Sequence, residues 1–323
     1  MIRRYGAAFL AGPGARLTPH QRAVLAALAA CRTPAMGSHE YHCPQCGQTV
    51  RVPNSCNDRH CPKCQGGRRA AWLDKRRREC LPVPYFHVVF TVPEELSVVV
   101  TAHPRTFYTL LLQAVKETLL EVAARPQHGG AQLGGVMVLH TWGQTMALHP
   151  HAHVIVPGGG LARDGTHWHA YPRGFFLPVK TLSSVFRDKL LDFLTEEQQA
   201  GGLPFTGGLA HLDQPARFAQ WVAPLYDIDW VVYVEPPEDR DPEQVLKYLA
   251  RYTYRVAISN DRLQSLADGQ VTFRYKDYAA GGRQRTMALG AMEFLRRFSQ
   301  HILPPRFVQV RSFGFLAHGQ RAQ

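Results

Sequence analysis

His151 and His153 are separated by one small apolar residue and followed by Val154, Ile155 and Val156, a pattern that reads as a buried β-strand. Side chains alternate faces along a strand, so the two imidazoles point the same way and lie a few Å apart. Such a pair is a ready-made set of two metal ligands. Taken alone such a pair is more often two hydrogen-bonded core histidines, and the rest of the chain has to decide.

The cysteines offer a second chemistry. Cys43-Pro44-Gln45-Cys46 and Cys61-Pro62-Lys63-Cys64 are two C-x2-C knuckles with fourteen residues between them. Four thiolates at this spacing close a tetrahedral zinc site, and Gly47 supplies the tight turn after the first knuckle. Cys56, His60 and His42 are alternatives for one of the four places, Cys56 before the others. The segment 67–79 reads as a basic helix carrying Arg68, Arg69, Arg76, Arg77 and Arg78. Directly after a zinc knuckle, such a helix suits DNA phosphates; the plainer alternative is a solvated charged face.

A third group is aromatic. Tyr248 and Tyr252 are four residues apart and share one helix face, beside a basic stripe of Lys247, Arg251 and Arg255. A phenol with a reference pKa near ~10 is a weak nucleophile unless metal and positive charge polarise the phosphorus it attacks. Val245, Tyr248, Leu249 and Tyr252 also follow a core stripe, so on this helix alone packing explains the tyrosines better than catalysis does. Tyr254 lies on another face.

These groups need elements to hold them. Thr18-Pro19 caps an alanine-rich helix to Cys31; residues 37–66 have few large hydrophobes and need a staple other than a core. Strands are expected at Phe86–Val92, Val136–Thr141, His151–Val156, Trp230–Val234 and Val271–Tyr275. Helices are expected over 104–124, from Thr181 to about Gln199, from Pro242 to about Tyr254, and over Met292–Ile302. This is an α/β or α+β main domain preceded by a small metal module.

The chain has 323 residues, 45% of them hydrophobic, which is ample for a core. Lys and Arg number 37 against 25 Asp and Glu, a formal net charge of +12 that favours a polyanionic partner, nucleic acid first. No apolar run approaches the ~18 residues of a membrane span, and the N-terminus lacks a signal peptide's apolar stretch. Seven cysteines, mostly in C-x2-C pairs, point to metal binding in a reducing, cytoplasmic compartment, close to the nucleoid when DNA is bound.

Together the features resemble the transposases of the insertion sequence 91 family, which belong to the HUH endonucleases. The resemblance runs through Asn54-Ser55-Cys56-Asn57-Asp58-Arg59-His60-Cys61, Pro84-Tyr85-Phe86-His87-Val88-Val89-Phe90-Thr91 and Leu139-His140-Thr141-Trp142-Gly143-Gln144. It continues through His149-Pro150-His151-Ala152-His153, Tyr248-Leu249-Ala250-Arg251-Tyr252-Thr253 and Glu293-Phe294-Leu295-Arg296-Arg297-Phe298. It implies an α+β fold with an HUH-type antiparallel sheet and flanking helices, spanning residues 81–323 after an N-terminal zinc module of residues 1–80.

It further implies metal-dependent cleavage and joining of single-stranded DNA at the ends of a mobile element. His151, His153 and a third polar residue would hold Mg²⁺ or Mn²⁺, and Tyr248 or Tyr252 would form a 5′-phosphotyrosine. Gln144 is the preferred third ligand, because its amide oxygen suits a hard cation; His140 and His149 are its rivals. Family members usually continue for some tens of residues beyond the segment like Phe307–Leu316, so this chain reads as a shortened copy. The competing readings are a non-catalytic zinc-dependent DNA-binding relic, and a replication initiator or relaxase using the same chemistry.

Overall fold

The computed structural model describes residues 1–65, 67, 70, 71, 74, 80–172, 174, 176–235, 255–278, 280–317 and 319. The chain begins with helices α1 (Ile2–Ala11) and α2 (Pro19–Ala30), followed by strands β1 (Ser38–His42), β2 (Thr49–Pro53) and β3 (Tyr85–Thr91). Helices α3 (Ser97–Ala102) and α4 (Pro104–Ala124) precede β4 (Gly134–Trp142), β5 (Leu148–Pro157), β6 (Gly159–Leu161) and β7 (Trp168–Ala170). Next come α5 (Val179–Gln199), α6 (Pro215–Val222), β8 (Val232–Glu235), β9 (Leu263–Ala267), β10 (Gln270–Asp277), β11 (Arg283–Gly290), α7 (Ala291–Gln300) and β12 (Val310–Gly314). Among the described residues, no helix is long and apolar enough to cross a membrane.

The chain divides into two compact units, each assembled from three separate stretches of sequence. The first unit comprises Met1–Lys75, Trp142–Leu148 and Tyr254–Pro305; the second comprises Arg76–Thr141, His149–Thr253 and Arg306–Gln323. The segment Tyr254–Pro305 joins the N-terminal unit because its apolar residues share a core with α1 and α2.

In the first unit, Thr18 caps α2: its hydroxyl accepts from the Gln21 N–H at 3.2 Å, and Gln21 Oε1 accepts from the Thr18 N–H at 3.0 Å. Phe9, Leu25, Phe273, Phe294 and Leu295 are buried together. Along β10, Val271 and Phe273 face this core while Arg274 and Lys276 are exposed, the alternation of a half-buried strand. β9, β10 and β11 form a three-stranded antiparallel sheet. The β1–β2 hairpin is exposed along nearly its whole length.

The second unit is built on a five-stranded sheet in the order β12-β4-β5-β3-β8. β12 is antiparallel to β4, and β3 is antiparallel to both β5 and β8. One face of its centre is apolar: Phe86, Val88, Phe90, Ala152, Val154 and Val156 are buried. Phe186 of α5 meets Phe90 edge-on at 5.0 Å and Trp230 at 5.3 Å, so a helix seals this face. The register pairs Val89 with His153 and Thr91 with His151. Alternation therefore sends both histidines to the opposite face. Pro150 lies within β5 and does not end it.

Candidate metal centres

The histidine site belongs to the second unit. The ligand nitrogens of His140, His151 and His153 lie within 4.8 Å of one another. Ring centroids are 4.4 Å apart for His140–His153, 4.9 Å for His151–His153 and 5.4 Å for His140–His151. His140 and His153 are buried, and His151 is partly exposed. The His149 carbonyl lies 2.8 Å from His151 Nδ1, and a carbonyl only accepts, so this nitrogen carries the proton. His151 Nε2 then holds the lone pair that a cation needs. His87 lies beside the cluster, its Nε2 2.8 Å from His153 Nδ1. Burial pulls the His87 pKa below the usual histidine value, against the opposing pull of the Glu235 carboxylate.

The side chain that the structure brings together with His151 and His153 is that of His140, one of the two rivals to Gln144. Gln144 lies in the turn after β4, within the first unit, not in a strand. Its side-chain oxygen accepts from the Lys276 N–H at 3.4 Å, and its carbonyl accepts from Arg262. His149, the other rival, is exposed to solvent.

The sulfur site belongs to the first unit and differs from the expected set in two members. Cys31, Cys56, Cys61 and Cys64 place their sulfurs within 4.8 Å of one another. Sγ···Sγ distances are 3.6 Å for Cys31–Cys64, 3.7 Å for Cys56–Cys64 and 3.7 Å for Cys31–Cys61. A tetrahedron with Zn–S bonds of ~2.3 Å has edges of about 3.8 Å, so the donor set fits zinc. Burial alone would raise the Cys31 thiol, but hydrogen bonds from the Cys56 amide and the neighbouring thiols bring it down to about 7. Burial pushes Cys61 up to about 11 and Cys56 higher still.

Of the two expected knuckles, Cys61–Cys64 is in the cluster and Cys43–Cys46 is not. Cys43 and Cys46 lie at the turn between β1 and β2, where Gly47 has φ +72° and its N–H donates to the Cys43 carbonyl at 2.9 Å. The amides of Cys46 and Gln45 hold the Cys43 thiol below its ordinary pKa. His60 is occupied otherwise: the Leu303 N–H donates to its Nε2 at 3.1 Å, and its Nδ1 donates to Asp58 at 2.8 Å. Cys31 carried no C-x2-C signal. The hint available was a count of seven cysteines where two knuckles use four. Tyr248, Tyr252, Lys247, Arg251, Arg68, Arg69, Arg76, Arg77 and Arg78 lie outside the described residues.

A family model described as a putative transposase matches residues 134–323, and one described as a transposase zinc-binding domain matches residues 1–92. This chain belongs to the insertion sequence 91 family of transposases. Within that family it is similar to the putative transposase y4qJ of Sinorhizobium fredii (strain NBRC 101917 / NGR234). That match is 47% identical and covers all 323 residues here and 81% of the relative. The transposase for insertion sequence element IS801 of Pseudomonas savastanoi pv. phaseolicola is 27% identical, over 90% of this chain and 68% of its own. Among solved structures, the metal-bound conjugative relaxase TrwC in complex with oriT DNA aligns over 54% of this transposase and 66% of its own chain. Identity there is 19% and the TM-score 0.29, which leaves the fold to be argued from the strands themselves.

Proposed function

We propose that this transposase cleaves and rejoins single-stranded DNA at the ends of a mobile element, through a covalent 5′-phosphotyrosine. Tyr248 and Tyr252 are the nucleophiles, and His140, His151 and His153 hold a divalent cation, Mg²⁺ or Mn²⁺. The observation that carries the reading is the convergence of three imidazoles around the His-Ala-His strand of a transposase-family chain. When bound, the cation polarises a non-bridging oxygen of the scissile phosphate. His140, His151 and His153 would hold the cation, which would supply positive charge to a phosphate bound beside it. Lys247 and Arg251, close in sequence to the tyrosines, supply positive charge for the phosphate.

The tyrosine oxygen bonds to phosphorus and the P–O3′ bond breaks. The phenol gives up a proton and O3′ takes one, leaving a 3′-hydroxyl. Attack by a 3′-hydroxyl on the phosphotyrosine reverses the step and rejoins DNA. A second tyrosine permits a second cut while the first ester persists. Zinc, held by Cys31, Cys56, Cys61 and Cys64, is the staple of the N-terminal unit, where few large side chains surround the cluster. Arg68, Arg69, Arg76, Arg77 and Arg78 grip the DNA backbone.

The test is covalent capture of a labelled single-stranded oligonucleotide in Mn²⁺. An adduct that survives denaturation is expected, retained by Tyr254→Phe and abolished by the Tyr248→Phe, Tyr252→Phe double variant. Binding without any adduct would make the chain a DNA-binding relic instead.

A further inference from the structure

His153 is connected across the sheet to a carboxylate. β5, β3 and β8 are neighbours. Their register sets His87 opposite both Ile155 and Glu235, while His153 lies opposite Val89. Opposed residues share a face and so do residues two apart, so His153, His87 and Glu235 form a row on the histidine face. Glu235 Oε2 is 3.1 Å from His87 Nδ1, and His87 Nε2 is 2.8 Å from His153 Nδ1. The two rings are within 10° of parallel with centroids 5.0 Å apart. With 2.8 Å between nitrogens, they meet edge to edge in one plane. Both imidazoles are buried, at 6% and 8% exposure, so this geometry is held by packing and is not a surface encounter.

The direction of every proton in this row is fixed by its end. A carboxylate only accepts, so His87 Nδ1 carries a proton and donates it to Glu235. A neutral His87 then has its lone pair on Nε2, which accepts from His153 Nδ1–H. His153 is left with its lone pair on Nε2. His151 reaches the same tautomer by a different route, through the His149 carbonyl. Both members of the His-Ala-His pair therefore present Nε2 as the basic nitrogen.

We propose that His87 and Glu235 are positioning residues of the divalent-cation site. The Glu235 carboxylate, acting through the His87 imidazole, locks His153 in the Nδ1–H tautomer and makes its Nε2 the ligand. The inference rests on reading His140, His151 and His153 as that site. A metal-bound histidine commonly donates its other N–H to a carboxylate or carbonyl, and such partners contribute to affinity and ring orientation. Here the carboxylate is one imidazole further away.

The test uses the full zinc-loaded chain and two readouts. Mn²⁺ affinity is measured from the electron paramagnetic resonance signal of the free ion. Tautomers in the Mn²⁺-free protein are read from long-range ¹H–¹⁵N correlations of the histidine rings. The unsubstituted protein should show His153 as the Nδ1–H tautomer. His87→Phe keeps a ring but removes the acceptor. Glu235→Gln keeps the shape at a partly exposed strand end, and its amide can donate as well as accept, so the row can reverse. Each should mix the His153 tautomers and weaken Mn²⁺ binding about 10-fold or more. Because Glu235 is partly exposed, Glu235→Gln keeps the test sound even if His87→Phe fails to fold. Mn²⁺ affinities within about twofold of the unsubstituted protein, or an Nε2–H tautomer of His153 in that protein, would overturn the proposal. Should a His140→Ala, His151→Ala, His153→Ala protein bind Mn²⁺ as well as the parent, the cation-site reading itself falls, and the tautomer readout separates the two failures.

Discussion

Replacing Cys31 by serine separates the observed sulfur cluster from the one that spacing suggests. Cys31 is 1% exposed and its sulfur lies 3.6 Å from Cys64 Sγ and 3.7 Å from Cys61 Sγ, along edges of the tetrahedron. Apparent binding of structural zinc at neutral pH contributes ~10–16 kcal/mol, so each of four thiolates accounts for about 2.5–4 kcal/mol. Losing one should weaken zinc about 10²–10³-fold, since each 1.4 kcal/mol is about tenfold. Serine is close to cysteine in size, so lost packing is a minor part of the effect. Cys43 stands at the hairpin turn outside the cluster, and Cys43→Ser should leave the site intact. The assay is competition with a chromogenic zinc chelator, backed by elemental analysis of each variant. Undiminished zinc affinity in Cys31→Ser, together with zinc loss in Cys43→Ser, would refute the assignment and restore the paired-knuckle set.

Three further outcomes are expected. His301 is buried, and although its Nε2 lies 3.1 Å from the Met146 carbonyl, burial lowers its pKa to about 4. Between about pH 6.5 and pH 4 the unfolded chain binds this proton and the folded chain does not, so stability should fall across that window as acid is added, by about 3 kcal/mol in all. His301→Gln should flatten that part of a denaturation-versus-pH curve; an unchanged slope would place the acid sensitivity elsewhere. Phe186→Ala empties the contact between α5 and the sheet and should cost about 3–5 kcal/mol in denaturant unfolding; a loss under ~1 kcal/mol would mean that this face is not tightly packed. Neutralising Arg76, Arg77 and Arg78 together should reduce the log–log salt slope of single-stranded DNA binding by about 2, and an identical slope would show that these side chains face water.

Much of the second unit was legible because its signals are local. The β-branched runs around Val88 and Val154 specify strands, and the His-Ala-His parity specifies a shared face. What depends on pairing between distant segments was not legible. Nothing near His140 marks it as a partner of the His-Ala-His pair until β4 and β5 are adjacent. His87 reads as one polar residue in an apolar strand, and its meaning comes only from the β5-β3-β8 order. The cysteine spacing led to Cys43 and Cys46 because two knuckles look symmetrical. The fold instead draws in Cys31 from the end of α2, where no local pattern marks it. The assignment of Tyr254–Pro305 to the N-terminal unit was hidden for the same reason: a shared core has no sequence signature in either part.

The position of the β1–β2 hairpin has an evolutionary consequence. It lies wholly between Cys31 and Cys56, and just inside those cysteines the Arg32 N–H donates to the Asn54 carbonyl and the Asn54 N–H to the Gly37 carbonyl, each at 3.0 Å. The segment is thus a loop pinned at its base by thiols and backbone bonds, while its strands have little purchase on any core. Doubling the length of such a loop adds only about 0.6 kcal/mol of closure entropy. The hairpin is where this chain can lengthen, shorten or change its surface while the sulfur cluster beneath keeps its shape.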